Sequence, residues 1–186
     1  VAMSDPAADS KTVQESVDLL LKAQKDDGSW GGLPVTSWAV LALKSSRMAE
    51  LKVPDAAFLK ASGYLETLYA RDAAGRGSFG GTPAGTARAV ILRQVMGLQG
   101  GVAEGALTLD ANPPLTMQAD PEYLYFGTLA AFHLGGKTWA RWHPSLVDAL
   151  DEWTRVDGNL YPDGTPPDRW VCATASGTLC LEILYR

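Results

Sequence analysis

The stretch LLLKAQKDDGSWGG, residues 19 to 32, joins a leucine-rich run to Asp27-Gly28 and then to a tryptophan, Trp30. Gly28 takes a positive φ without steric cost and Asp27 can bond its own backbone, so the pair predicts a turn at a helix end. An indole two residues past a turn needs apolar cover. The chain is therefore expected to fold back there and bury Trp30 against a neighbouring element. Upstream, Thr12-Val-Gln-Glu15 reads as a capping box. Val13, Val17, Leu20, Leu21 and Gln24 follow at helical spacing, with Asp18 and Lys22 elsewhere on the wheel, which predicts a helix apolar on one side.

Beyond the turn, VTSWAVLAL from Val35 is apolar almost all round, and after Pro54-Asp55 a one-sided segment aligns Phe58, Ala61, Leu65 and Leu68. The alternation continues. GTARAVILRQVM from Gly85, EYLYFGTLAAFHL from Glu122 and WVCATASGTLCLEIL from Trp170 read as all-round apolar helices. Trp139, Trp142, Leu146, Leu150 and Trp153 form a one-sided helix before the last of these, and GVAEGALTL is a weaker helix because of its glycines. Asp120-Pro121 reads as an N-cap followed by Pro at the first helical position, Asp168 is similarly placed before Trp170, and Gly135-Gly136 marks a stop. Aligning Thr36, Thr86, Tyr125 and Thr174 gives steps of 50, 39 and 49 residues, a diverged repeat of helix pairs. An all-α fold with the fully apolar helices inside and the one-sided ones outside is expected, since no convincing β-rich run separates them.

With 186 residues, 46% hydrophobic, 20% charged and a net charge of -5, the chain has the composition of a soluble folded protein. No basic patch suits nucleic acid, and no apolar run is long enough to cross a membrane. Cys172 and Cys180 lie eight residues apart in one helical stretch. That is about 12 Å along the axis, too far for a disulfide, so both are expected to be free and buried as small hydrophobes. No Cys/His ligand spacing supports a metal, and no cofactor is indicated. The loop DGNLYPDGTPPD offers oxygens from Asp157, Asn159 and Asp163, but it lacks the spacing of a calcium loop and reads as a Pro-rich turn.

Gln24, Gly28 and Trp30 resemble the QW repeat of squalene-hopene and oxidosqualene cyclases, in which a helix ends in Gln and a Gly-x-Trp turn follows. GRGSFGG, with Gly77 and with Phe79 in place of Trp, and VDGNLYPDG, with Gly158 and Leu160, look like degraded copies. The segments from Asp120 to Leu150 and from Asp157 to Arg186 are similar to the C-terminal part of bacterial prenyltransferase/squalene-oxidase-repeat proteins. The resemblance implies an α/α-toroid of about four helix pairs. It also implies that residues 1–186 are one domain at the C-terminal end of a longer, bacterial protein, whose compartment stays open, an extracytoplasmic one being among the options. In such repeats the Gln and Trp tie neighbouring helix pairs together.

The chemistry of those relatives does not carry over residue by residue. The Asp-x-Asp-Asp acid is missing, and VCATA places Val171 where the oxidosqualene cyclases have an acid. The residues two before Cys172 and Cys180 are Trp170 and Thr178, not the Asp of a prenyltransferase zinc site, and no Cys-Gly-Glu-Gln thioester is present. Of the remaining acids, Asp120 and Glu122 read first as helix-cap and first-turn charge. Trp38, Tyr123, Tyr125, Phe126, Phe132 and Trp170 on the inner helices could line an apolar cavity, with Asp120, Glu122 and Asp168 as further candidate ligand-binding residues, although a solid helical core would use the same aromatic residues. The expected function is non-catalytic binding of an apolar or isoprenoid ligand or of a protein partner. The alternative is a terpenoid cyclase or lyase fragment whose acid lies outside the chain. A four-pair arc also leaves its first and last helices uncovered, which predicts either self-association through the terminal pairs or a more compact bundle than the family's toroid.

Overall fold

The computed structural model describes residues 6–114, 120–154, 161 and 165–184, with side chains from residue 11 to residue 183. Eight helices dominate the described residues: α1 Pro6–Lys22, α2 Leu33–Met48, α3 Asp55–Thr67, α4 Pro83–Val95, α5 Val102–Ala111, α6 Pro121–Leu134, α7 Gly136–Trp153 and α8 Trp170–Leu184. Their starts follow local chemistry. Thr82 Oγ1 accepts the Gly85 N–H at 3.0 Å ahead of α4. Asp120 Oδ1 accepts the N–H groups of Glu122 at 3.0 Å and Tyr123 at 3.1 Å ahead of α6, with Pro121 at the position where a missing N–H costs nothing.

The even-numbered helices pack in sequence, α2 on α4, α4 on α6 and α6 on α8, while α1 and α3 lie on α2, α5 on α4 and α7 on α6. The all-α, repeat-like character is therefore as the sequence indicates, with the even-numbered helices forming the inner row and the odd-numbered ones lying on it. Helix α4 is the hinge of the packing. Its Ala89 and Leu92 join the cluster built on Val40, Leu43, Ala61 and Leu65, and its Val90 and Ile91 join the cluster of Leu124, Phe126, Trp142 and Leu146.

The opening stretch is laid out as its residues require. Gly28 has φ +87°, and a Cβ there would stand 2.0 Å from the Lys60 carbonyl oxygen, so the turn presses directly on the backbone of α3. Asp27 Oδ1 accepts the Ser29 N–H at 2.8 Å, which holds that carboxyl below its ordinary range. Trp30 is buried, and its Nε1–H donates to the Leu20 carbonyl at 2.7 Å. Gln24 Nε2 donates to the carbonyls of Gly28 at 3.0 Å and Ala57 at 2.9 Å, joining the end of α1 to the start of α3. The second stretch repeats one bond of the first. The Trp30 N–H donates to Thr36 Oγ1 at 3.0 Å, and the Phe79 N–H donates to Thr86 Oγ1 at 3.1 Å.

Several expectations are corrected. Helix α1 begins at Pro6, so Thr12 is an interior residue whose carbonyl accepts from Ser16 Oγ, not a cap. A hairpin, β1 Tyr69–Arg71 and β2 Gly77–Phe79, pairs Tyr69 with Phe79 where no strand was expected. The reason is local: Asp72 accepts the backbone N–H groups of Ala74 and Arg76 and closes the turn. Helices α2 and α8 are not buried all round, because each ends the packed row and has a neighbouring inner helix on one side only. Val35 on α2 and Val171 on α8 are accordingly exposed, and so is Cys172, whereas Cys180 is buried; both thiols are free. Asp168 lies inside a single 3-10 turn, Pro167–Arg169, leading into α8, and does not serve as the expected N-cap.

Candidate functional site

Side chains from three inner helices meet on one face. The Trp38 indole of α2 lies parallel to the Tyr125 ring of α6, with centroids 5.5 Å apart and planes at 7°. Trp38 also meets Phe126 edge-on at 5.0 Å, and Tyr125 meets Phe126 edge-on at 5.1 Å. Trp38 keeps 45% of its surface exposed although two rings fix its orientation. Phe126 is fully buried beneath it.

Helix α4, between the two, contributes the charge. Arg88 is 5% exposed, forms an ion pair with Glu122 of α6, and carries its guanidinium carbon 4.8 Å above the Phe126 ring centroid. A guanidinium can be buried in this way because its planar face packs on an aromatic ring while its edge bonds a carboxylate. Its Nε is buried with no partner among the described residues. Five residues on, Arg93 repeats the device toward the outer layer, paired with Glu66 of α3 and lying over Phe79 at 5.2 Å. The sequence of α4 reads as apolar all round, and its pattern does not single out either arginine. The available signal was two long cations inside an otherwise apolar helix, which burial allows only with ring faces and carboxylates as partners.

Four of the residues singled out in the sequence, Trp38, Glu122, Tyr125 and Phe126, are thus brought together, and Asp120 caps the same helix. The others lie elsewhere. Trp170 stacks on Tyr161 at 5.1 Å and donates from Nε1 to the Thr165 carbonyl at 2.7 Å, with Asp168 exposed just before it. Tyr123 faces the outer layer, edge-on to Trp142 at 5.6 Å, and burial pushes its hydroxyl pKa above the usual value, with the Asp120 charge adding to the effect. Phe132 packs edge-on to Trp139 of α7 at 5.4 Å. Gly77 sits in β2 beneath α5, where a Cβ would come within 2.8 Å of Glu104 Cβ. Gly158 and the acids Asp157 and Asp163 fall outside the described residues. Among those described, no three His, Cys, Asp or Glu side chains group as metal ligands, and no helix is long and apolar enough to cross a membrane.

Chemically, the face combines a ring-lined apolar surface with an ion pair of one buried arginine and one part-exposed glutamate. Both acids have structural partners: Asp120 Oδ1 accepts two backbone N–H bonds at the start of α6, and Glu122 accepts from Arg88. Compared with known proteins, the chain matches no family model, no curated protein and no solved structure.

Proposed function

We propose that this chain is a non-catalytic helical repeat domain that binds an apolar, isoprenoid-like ligand on the face formed by Trp38, Tyr125 and Phe126. One observation carries the reading: Trp38 is held in a fixed orientation by two rings while nearly half its surface stays exposed. A rigid aromatic surface loses little side-chain entropy when an apolar chain covers it, so burial translates efficiently into affinity. The part-exposed Glu122 carboxylate, held by Arg88, suits a polar head such as a hydroxyl, which can donate to it. Asp120 and Glu122 each have a structural task, capping α6 and pairing with Arg88, which accounts for both acids within a binding role. The resemblance of Gln24, Gly28 and Trp30 to a repeat found in proteins of isoprenoid chemistry is in keeping with this ligand class.

Titration with farnesol, a fifteen-carbon isoprenoid alcohol, tests the reading. Saturable binding that falls about tenfold or more in Trp38→Ala, with the fold intact by circular dichroism, is expected. Equal affinity in parent and variant would contradict it.

A further inference from the structure

A second concavity lies away from the aromatic face, between the end of α2, the first half of α3 and the end of α4, with a volume of about 340 Å³. That is within the range of pockets that take small molecules. Its walls are apolar: Phe58 and Leu59 from α3, Val95 from α4, and Met96 and Leu98 just after it. Leu59 is exposed although it lines the concavity, so its side chain has no cover of its own. The polar lining is Lys44, Arg47, Asp55 and Ser62.

The cations are unevenly committed. Arg47 is fixed in place: its Nη2 donates to Asp55 Oδ1 at 2.6 Å and to the Val53 carbonyl at 2.9 Å, and its guanidinium lies 4.6 Å over the Phe58 ring. These bonds use one nitrogen of a group with five donors. Lys44, three residues earlier and half-buried, has no hydrogen-bond or ion-pair partner among the described residues. Two cations against one carboxylate leave the lining positive on a chain whose net charge is -5. The helix ends at this region act in opposite directions: the C-terminal ends of α2 and α4 bring partial negative charge, reduced by their capped carbonyls, and the first turn of α3 brings partial positive charge. The carbonyls of Ser45, Ser46 and Arg47 accept from Ala49, Leu51 and Glu50, and those of Leu92, Arg93 and Gln94 accept from Met96, Leu98 and Gly97.

We infer that this concavity binds a small amphipathic anion, with its carboxylate or similar head between Lys44 and Arg47 and its hydrocarbon body against Phe58, Leu59 and Met96. The prepaid orientation of Arg47 and the uncompensated charge of Lys44 select the head. The five apolar side chains supply the rest.

Isothermal titration of the purified chain with decanoate tests this, alongside decyltrimethylammonium, which has the same tail and the opposite charge. One decanoate per chain is expected, with binding weakened by rising salt and decyltrimethylammonium binding at least tenfold more weakly. Lys44→Gln should weaken decanoate about tenfold, Leu59→Ser should weaken both amphiphiles, and Trp38→Ala should leave decanoate binding unchanged. Lys44 and Leu59 are not in the buried core, so neither variant threatens the fold. Absence of saturable decanoate binding, equal binding of the two amphiphiles, or sensitivity to Trp38→Ala in place of Lys44→Gln would each overturn the inference.

Discussion

The ion pair between Arg88 and Glu122 joins two unequally wet partners, an arginine side chain 5% exposed and a glutamate 41% exposed. Desolvation therefore weighs on the guanidinium far more than on the carboxylate. A glutamate that loses its partner here can turn to water, but an arginine that loses its partner stays buried.

The two halves should accordingly respond differently to substitution. Arg88→Met keeps the volume over Phe126 and should cost no more than about 1 kcal/mol. Glu122→Gln should cost roughly 3 kcal/mol, toward the range for an uncompensated buried charge. Urea unfolding of both variants checks the order, and a larger loss in Arg88→Met would show that the pair itself, and not the isolation of the cation, dominates.

Trp30 covers the turn that follows α1 and bonds the Leu20 carbonyl. Trp30→Ala should destabilise the chain by about 3–5 kcal/mol, whereas Trp30→Phe, which loses chiefly the hydrogen bond and part of the ring, should cost about 1–2 kcal/mol. A Trp30→Ala protein that melts with the parent would mean that the indole is not part of the packing.

At Gly28, both the positive φ and the close approach to Lys60 forbid a side chain. Gly28→Ala should cost more than about 2 kcal/mol, since the turn must withdraw from α3. The same substitution at Gly63, where a Cβ meets nothing within 4 Å, serves as a control and should be neutral or stabilising by a few tenths of a kcal/mol to about 1 kcal/mol. Thermal melts of the two variants make the comparison.

The two thiols differ in the same way that their burial does. Cys172 is exposed and should react with a thiol reagent in the native state at neutral pH, whereas Cys180 should react only on unfolding. Burial pushes the Cys180 thiol from its ordinary 9.0 up to about 12. A raised native pKa means that the folded state retains a proton the unfolded state releases. Stability from this group is intact below pH 9 and falls between pH 9 and 12, with a slope of at most about 1.4 kcal/mol per pH unit. The difference in alkaline slope between the parent and Cys180→Ala isolates the effect, and identical slopes would contradict it.

How much of this could be read from the sequence depended on how local the cause was. The turn at Gly28, the cap at Asp120 and the stop at Gly135 depend on nearby residues and were legible. The one-sided helix through Trp142, Leu146, Leu150 and Trp153 was equally clear, because periodicity reports burial directly. Helix α5 was weaker on propensity alone. Its Gly105 is there for contact, since a Cβ would stand 2.5 Å from Val90 Cγ2 of α4, and propensity carries no such information. The start of α1 was misplaced because Thr12 and Glu15 match a cap pattern that the helix simply runs through. At the candidate site, the aromatic residues were visible as types. That Tyr125 and Phe126 face Trp38 while Tyr123 faces Trp142 depends on the rotation of α6, which an all-round apolar helix does not reveal. The buried pairing of Arg88 with Glu122, 34 residues apart, is a tertiary fact of the same kind.

The central claim, ligand binding on the Trp38 face, is tested most directly by following the six tryptophan indole N–H resonances by nuclear magnetic resonance during addition of farnesol. The account predicts that the Trp38 resonance shifts first and saturably, while those of Trp30 and Trp142, whose indole N–H groups are bonded to Leu20 and Thr128, stay in place. An unmoved Trp38 resonance at saturating farnesol, or a uniform shift of all six, would contradict it.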